Sequence, residues 1–284
     1  MAVDPGIAGL ELGPWTKSWT ADDCMLYALG VGCGWDDLEY VTENSEGVAL
    51  RVLPTFAVRV GIAGPGFSFT QLGDVPLESI VHGDQRIEVF GAIPTSGTVV
   101  VRGRIVGVYD KGSGALVVTE WDSSDAESGE LRFRTSTGLF LRGQGGFGGP
   151  RGPSPVGGPV GPPEREPDRV VTHETLPIQT LLYRLSGDHN RIHSDPWFAR
   201  RAGFEQPILM GLLTFGYAGR ALVAVACDGD PARLRVMEGR FSKPGYNGDR
   251  LATSVWIEAD GDGWFATSND RGDVLLDRGR FTRA

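Results

Sequence analysis

A stretch crowded with glycine and proline divides the chain near its middle and constrains its fold more than any other feature. It covers residues 143–169 of the 284. A regular helix or a central strand does not survive that density, because proline lacks the backbone N–H that both structures use. We therefore predict a proline-stiffened linker or a long surface loop here, with one unit in residues 1–142 and another in residues 170–284.

The two sides of this linker share four markers in the same order. They are a Leu-Tyr-x-Leu segment, a Thr-Phe pair, a proline- and glycine-containing connection and a glycine-rich turn. These markers occupy residues 26–29 and 182–185, 55–56 and 214–215, 93–97 and 243–248, and 110–114 and 259–263. Their nearly constant separation predicts an internal duplication, although short matches of this kind also arise by chance.

Each half is predicted to contain a short helix, a loop, a longer apolar helix and then several strands. Apolar and polar residues alternate in residues 98–108, 131–135 and 250–257, as in strands of an antiparallel sheet with one dry face. Residues 212–226 are apolar apart from Arg220. At about 15 residues this run is too short for a membrane span and suits a helix wrapped by protein. The pattern predicts an α+β fold of two units, each a curved sheet around an apolar helix, with the sheets joined side by side.

Composition excludes several classes of function. A net charge of −9 argues against a nucleic-acid surface, yet it permits a small phosphorylated ligand. The three cysteines have no disulfide spacing, and no Cys/His pair has the spacing of metal ligands. Reduced thiols and the absence of a signal-peptide pattern predict a cytoplasmic protein with no metal and no membrane partner.

The best candidate for chemistry is the segment Tyr183-Arg-Leu-Ser-Gly-Asp-His-Asn-Arg-Ile-His-Ser-Asp-Pro196. Asp188 and His193 lie too far apart around a continuous helix to share a face, so we predict a loop that directs both side chains to one spot. A carboxylate beside an imidazole can support proton transfer, and the Asn190 amide can hold a water or a ligand oxygen. The alternative is that Asp188 caps a turn and His193 is an ordinary histidine.

Two further features bear on this site. Gly211 precedes the apolar helix, where free N–H groups could bind an oxyanion, or it could merely ease a tight entry into the helix. In the first half, Gly32, Gly34 and Asp37 align with Asp188, Asn190 and His193. If the chain is duplicated, only the second half keeps the acid, the amide and the imidazole.

The segment from Tyr183 to His193 resembles the hydratase-2 motif of the MaoC-like enoyl-CoA hydratases. Other segments resemble the two-domain, double-hotdog members of this family, which are similar to the hydratase unit of the peroxisomal multifunctional enzyme. These segments are residues 27–32, 53–56, 81–85, 110–115, 147–149 and 240–245.

The resemblance implies two tandem hotdog folds, with residues 1–142 binding the acyl chain and residues 170–284 carrying catalysis. It implies reversible hydration of a trans-2-enoyl-CoA to a (3R)-3-hydroxyacyl-CoA, with no cofactor beyond the coenzyme A of the substrate. It also implies a possible homodimer.

The resemblance further assigns residues. Asp188 and His193 match the catalytic pair, Asn190 matches the amide that positions the water, and Gly211 matches the backbone donor to the thioester oxygen. The positions that match acyl-CoA contacts are His82, Gly83, Lys111 and Phe241. Lys111 is also interpretable as a solvated hairpin lysine.

One residue departs from the motif. Arg191 stands where the motif usually carries proline, which deletes no catalytic group but leaves the rigidity of the loop open. A hotdog thioesterase and a non-catalytic acyl-CoA binding protein are the alternative functions, because one fold hosts many activities. The presence of both Asp188 and His193 disfavours each of them.

Overall fold

The computed structural model describes residues 3–61, 69–76, 79–152 and 161–284. Within these residues, ten strands form one antiparallel sheet. They are β1 (Glu11–Trp19), β2 (Ile80–Val89), β3 (Gly97–Asp110), β4 (Gly114–Asp125), β5 (Leu131–Arg142), β6 (Arg169–Glu174), β7 (Leu234–Phe241), β8 (Arg250–Ile257), β9 (Gly263–Asn269) and β10 (Val274–Arg283).

The helices of the described residues are short, with one exception. The α-helices are α1 (Ala21–Gly30), α2 (Leu38–Val41), α3 (Ala57–Val60), α4 (Gln179–Tyr183), α5 (Pro196–Arg201) and the long α6 (Gly211–Ala226). Single 3-10 turns occupy Pro5–Ile7, Pro54–Phe56, Phe69–Leu72, Arg184–Ser186, Arg191–His193 and Pro231–Arg233.

The strand order is symmetric about the middle of the sheet. It runs β1-β3-β4-β5-β2-β7-β10-β9-β8-β6, so each half of the chain contributes five neighbouring strands in matching order. The halves join where β2 pairs with β7, with Ile87 opposite Met237. Both of these side chains are buried. The prediction of two similar units with their sheets joined side by side is confirmed.

Alternation along the strands explains how the sheet covers its core. In β3, Val99, Val101 and Ile105 are fully buried, whereas Arg102 and Arg104 between them are exposed. A strand places successive side chains on opposite faces, so this pattern gives one dry face. The helix α6 packs against that face, contacting β7, β8, β9 and β10.

The helix α6 begins at Gly211, where the sequence predicts it. Most of its side chains are buried, including Leu213, Phe215, Ala218 and Leu222. It also contacts the Pro54–Phe56 turn of the first half. The helix is therefore enclosed by both units, which explains why it is apolar nearly all round.

The element order differs from the expected one in two ways. A strand precedes the first helix of each half, β1 before α1 and β6 before α4, whereas we expected all strands to follow the helices. Where the second half has α6, the described residues of the first half contain only the Pro54–Phe56 turn and the four-residue α3. Residues 62–68, which follow this segment, lie outside the described residues.

The predicted linker lies partly outside the described residues. Its positions 153–160 are not described, and its described positions 143–152 and 161–168 contain no helix or strand. The strand β6 begins at Arg169, the last position of the predicted linker.

Candidate active site

A glycine ends the helical segment that precedes the loop with Asp188 and His193. The turn Arg184–Ser186 ends at Gly187, which has a φ of 115° in the left-handed region that suits glycine. Asp188 and Asn190 then lie in a loop, as expected, and residues Arg191–His193 form one 3-10 turn. The carboxylate of Asp195 accepts from the backbone N–H groups of Trp197 and Phe198, so it caps α5 as predicted.

The imidazole of His193 is held by the segment that leads into α6. Its Nδ1 atom lies 2.8 Å from the carbonyl oxygen of Ile208. A carbonyl oxygen only accepts, so the proton of the neutral ring sits on Nδ1 and the lone pair on Nε2. The backbone N–H of Ile208 donates to the carbonyl of Ile192 at 3.3 Å, which ties the same two segments together.

Asp188 lies close enough to His193 to change its protonation. Burial lowers the pKa of His193, and the negative charge of Asp188 opposes that shift. Among the described residues no hydrogen bond joins the two side chains. Instead, the Asp188 carboxylate accepts from the backbone N–H of Asn190 at 3.1 Å. A half-buried carboxylate therefore stands beside a neutral imidazole whose Nε2 can accept a proton.

The first half contributes a second imidazole to the same place. Burial lowers the pKa of His82, in β2, to about 4, and the charge of Asp188 is the largest opposing influence. The Nε2 atom of His82 is buried and has no hydrogen-bond partner in the described part of the chain. Asp188 thus acts electrostatically on one histidine from each half of the chain.

Phe241 connects His82 with the start of α6. Its ring meets that of His82 edge-on, with 4.8 Å between the ring centroids. The same ring lies over Gly211, where an added Cβ would stand 3.1 Å from two ring carbons. Gly211 opens α6, and the first N–H groups of a helix have no partner within it. The structure therefore brings Asp188, His193, His82, Phe241 and Gly211 to one region.

Three other predicted residues are placed differently. The carbonyl oxygen of the exposed Asn190 side chain accepts from the backbone N–H of Ile192, so this amide caps the 3-10 turn. Gly83 follows His82 and packs against β5. A Cβ added at Gly83 would lie 3.2 Å from the carbonyl oxygen of Gly138.

Lys111 lies on the β3–β4 turn. Its ammonium donates to the carbonyl oxygen of Arg151 at 2.5 Å and lies 5.9 Å from the centre of the Tyr109 ring. Its charge also interacts with Asp84.

Asp84 is a titratable residue at the site margin that the sequence does not reveal. Burial raises the pKa of its carboxyl to about 6, and the charge of Glu238 in the neighbouring strand raises it further. It directly follows Gly83 in β2, within a segment that carries the family resemblance. Nothing in the residue order shows its surroundings, because Glu238 and Arg240 of the adjacent strand β7 come near it only when the two halves join.

The matching loop of the first half is closed by an ion pair. Arg220 of α6 donates to the carbonyl oxygen of Gly32 at 2.6 Å and to the Asp37 carboxylate at 2.7 Å. These are the positions that align with Asp188 and His193. An arginine of the second half thus binds the two first-half positions that align with the predicted catalytic residues.

Among the described residues, no group of three or more His, Cys, Asp or Glu side chains has a geometry that could hold a metal ion. No helix in the described ranges is long and apolar enough to cross a membrane.

The halves match two protein-family models. Residues 18–143 match the MFE-2 hydratase 2 N-terminal domain, and residues 159–277 match the MaoC like domain. Among curated relatives, the chain is 43% identical to 3-hydroxyacyl-thioester dehydratase Y of Mycobacterium tuberculosis, over 98% of both chains. It is 38% identical to the peroxisomal enoyl-CoA hydratase 2 of Arabidopsis thaliana, over 83% of this chain and 81% of the relative.

Solved structures agree with the two-unit architecture. A MaoC-like dehydratase from Phytophthora capsici superimposes with a TM-score of 0.87 and 30% identity, over 100% of this chain and 98% of the other. A Mycobacterium tuberculosis protein described as having a double hotdog fold matches with a TM-score of 0.57 and 16% identity, over 97% of this chain and 96% of the other. At that identity the likeness shows the fold alone, and it confirms the prediction of two tandem hotdog units.

Proposed function

The chain belongs to the MaoC-like hydratase 2 family, and we propose that it catalyses the reversible hydration of a trans-2-enoyl-CoA to a (3R)-3-hydroxyacyl-CoA. This makes it a hydro-lyase of acyl-thioester metabolism. The observation that carries the proposal is the neutral His193 imidazole beside the Asp188 carboxylate, with Nδ1 engaged by Ile208 and Nε2 available.

In the proposed mechanism, Asp188 and His193 share one water molecule. One of the two groups, His193 Nε2 or the Asp188 carboxylate, accepts a proton from this water as its oxygen bonds to C3 of the substrate. The pair then delivers a proton to C2, so the reaction adds the elements of one water and leaves both side chains in their starting states. The half-buried position of both groups supports this role, because poor solvation lowers the pKa of the imidazole and keeps it neutral near neutral pH, so that its Nε2 lone pair can accept a proton.

Negative charge develops on the thioester oxygen while C2 still lacks its proton. We assign its stabilisation to the backbone N–H of Gly211 at the first turn of α6, where helix N–H groups are unpaired. A side chain at this position would crowd the Phe241 ring, which glycine avoids. The amide nitrogen of Asn190 is free of the capping bond made by its oxygen, which supports a contact with the water.

The acyl-CoA contacts assigned to His82, Gly83, Lys111 and Phe241 are also part of the proposal. His82 and Phe241 lie against the start of α6 and support a contact with the thioester portion. Lys111 is placed farther along the sheet, beside Asp84 and Arg151, and supports a contact with a coenzyme A phosphate. We further propose that the reaction needs no additional cofactor and that the protein is a cytoplasmic homodimer.

One assay separates hydration from the other activities of hotdog proteins. The protein is incubated with a trans-2-enoyl-CoA, and the absorbance of the conjugated thioester is followed together with free thiol. Loss of absorbance without thiol supports hydration, whereas thiol release would show a thioesterase. Binding with neither signal would show a non-catalytic acyl-CoA binding protein.

The stereochemistry is tested in a second step. The product is offered to a dehydrogenase specific for (3R)-3-hydroxyacyl-CoA and, in parallel, to one specific for the (3S) isomer. Oxidation by the first enzyme alone is expected. Oxidation by the second alone would contradict the assigned arrangement of Asp188 and His193 around the substrate.

A further inference from the structure

Arg191 lies between Asp188 and His193 in the sequence, and its side chain is held by several contacts with the start of α5. Its guanidinium donates twice to one carboxylate oxygen of Asp195, at 2.5 and 3.2 Å. The same group lies over two aromatic rings, with its central carbon 5.2 Å from the centre of Phe198 and 5.8 Å from that of Trp197. Arginine suits this combination because a planar guanidinium can chelate a carboxylate and stack on rings at once.

The backbone around Arg191 has the geometry that a proline would accept. The preceding residue, Asn190, is extended, with a φ of −62° and a ψ of 122°, as favoured before proline. Arg191 is the first residue of its 3-10 turn, and none of the hydrogen bonds found among the described residues uses its N–H. Proline is favoured at such a first helical position. The loop thus keeps a proline-like path although it has no proline.

The Arg191 guanidinium, its partner Asp195 and the two aromatic rings form a clamp. Asp195 connects this clamp to α5. One carboxylate oxygen of Asp195 binds Arg191, while the other caps the helix through Trp197 and Phe198. The carbonyl oxygen of Arg191 also accepts from the backbone N–H groups of Ser194 and Asp195, at 3.1 and 2.8 Å. Side chain and backbone together join the turn that carries His193 to a helix.

We propose that Arg191 is a positioning residue, whose side-chain clamp on Asp195 and the aromatic rings of α5 fixes the orientation of Asp188 and His193. In this chain the clamp replaces the restriction that a proline ring would impose on the backbone. A role in binding a substrate phosphate is disfavoured because the guanidinium is already paired with Asp195. The inference rests on the proposed function, since it concerns the efficiency of that reaction.

The first test is a split between kcat and KM. Arg191→Ala is expected to lower kcat for enoyl-CoA hydration about 5-fold and to change KM less than about 2-fold, because the substrate pocket is unchanged. Asp195→Asn, which keeps a good helix cap, is expected to have a similar effect. The double variant is expected to be no slower than either single one, because both changes break the same clamp.

Rescue distinguishes positioning from general damage. Arg191→Pro is expected to recover most of the lost kcat, since the backbone already follows a path open to proline. Arg191→Lys is not expected to recover it, because lysine cannot chelate the carboxylate and stack on the rings as arginine does. The matched control is Arg200→Ala, which removes an exposed arginine of α5 that makes no such clamp. It is expected to leave kcat unchanged.

Two kinetic results would overturn the proposal. One is an Arg191→Ala variant with kcat within 2-fold of the parent, and the other is an Arg191→Pro variant as slow as Arg191→Ala. A rise in KM alone would instead assign Arg191 to substrate binding. Amide hydrogen exchange at Ser194 and Asp195 gives a readout independent of turnover. Faster exchange in Arg191→Ala supports the clamp and unchanged exchange contradicts it, even if the parent protein hydrates no enoyl-CoA and the proposed function fails.

Discussion

The Nδ1 atom of His193 lies 2.8 Å from the carbonyl oxygen of Ile208, a residue 15 positions later in the chain. This contact fixes which ring nitrogen carries the proton, and it orients Nε2 for chemistry. The contact depends on the segment before α6 running beside the 3-10 turn that contains His193, an arrangement that the backbone hydrogen bond from Ile208 to Ile192 maintains.

The first prediction concerns the proposed catalytic pair. Asp188→Asn and His193→Ala are each expected to lower kcat for enoyl-CoA hydration by about 10²- to 10⁴-fold, because each removes a group that handles a proton. His189→Ala is the matched control, since this exposed histidine lies in the same loop. It is expected to retain at least about half of the parent rate. Near-parent rates in both pair variants, with folding verified by circular dichroism, would show that the site is wrongly assigned.

The second prediction concerns the pH dependence of activity. Burial lowers the pKa of His193 below the ordinary value of 6.5, so the imidazole stays neutral and able to accept a proton in mildly acidic solution. We expect kcat/KM to be constant from pH 8 down to about 6.5 and to fall only at lower pH. The measurement is initial rates across this range at constant ionic strength. A profile that has lost half of its maximum at pH 6.5 or above would contradict the neutral, buried imidazole.

The third prediction concerns the pH dependence of stability, at a histidine outside the site. Burial lowers the pKa of His173, in β6, to about 4, and the positive charge of Arg220 lowers it further against an opposing effect of Asp37. Since the folded state binds a proton less readily than the unfolded state, this histidine contributes stability above pH 6.5. That stability is lost as the pH falls towards 4.

His173→Gln is the test of this linkage. Between pH 7.5 and 5, the loss in free energy of unfolding is expected to be about 1–2 kcal/mol smaller in the variant than in the parent. Urea unfolding at the two pH values measures both losses. Using the difference between pH values removes any constant cost of the lost ring contact with Tyr217. Equal losses in free energy of unfolding in the two proteins would contradict the linkage to His173.

The fourth prediction concerns the contact between α6 and the first half. A Cβ added at Gly216 would lie 2.3 Å from Cγ1 of Val31, so Gly216→Ala is expected to destabilise the protein by about 1–3 kcal/mol. Adding Val31→Ala makes room for the new methyl group, and the double variant is expected to lose less than the sum of the single losses. Gly34→Ala is the matched control, because no atom lies within 4 Å of its added Cβ. Equal stability of Gly216→Ala and Gly34→Ala would show that α6 and the first half are not closely packed.

Much of the fold could be predicted from local patterns. Alternation in residues 98–108 and 250–257 predicted strands that the structure contains, because a period of two is imposed by the pleat itself. The start of α6 at Gly211 and the cap at Asp195 followed from short-range rules of helix formation. The repeated markers predicted the two-unit sheet, since each pair of matching segments falls at equivalent places in the strand order.

The site could be predicted only in part. The close spacing of Asp188, Asn190 and His193 pointed to one loop, and the family resemblance supplied their roles. The order of residues could not show that His82, more than 100 positions earlier, lies near enough to Asp188 for the charge of Asp188 to affect its pKa. That placement depends on how the two halves of the sheet join, which no local pattern encodes. The cap that Asn190 forms on its own turn is a local contact over two positions, and it was not predicted. The contact between Lys111 and Arg151 spans 40 positions, so the residue order does not show it either.

The sequence by itself determined the periodicity of the strands, the length of the apolar helix, the division into two related halves and the loop that holds the acid and the imidazole. These properties depend on neighbours within a few positions, which fix the backbone conformation and the face that each side chain occupies. The tertiary structure alone decided the proton position on His193 and the raised pKa of Asp84. Burial and hydrogen bonding between segments set these, because both depend on distances in space rather than along the chain.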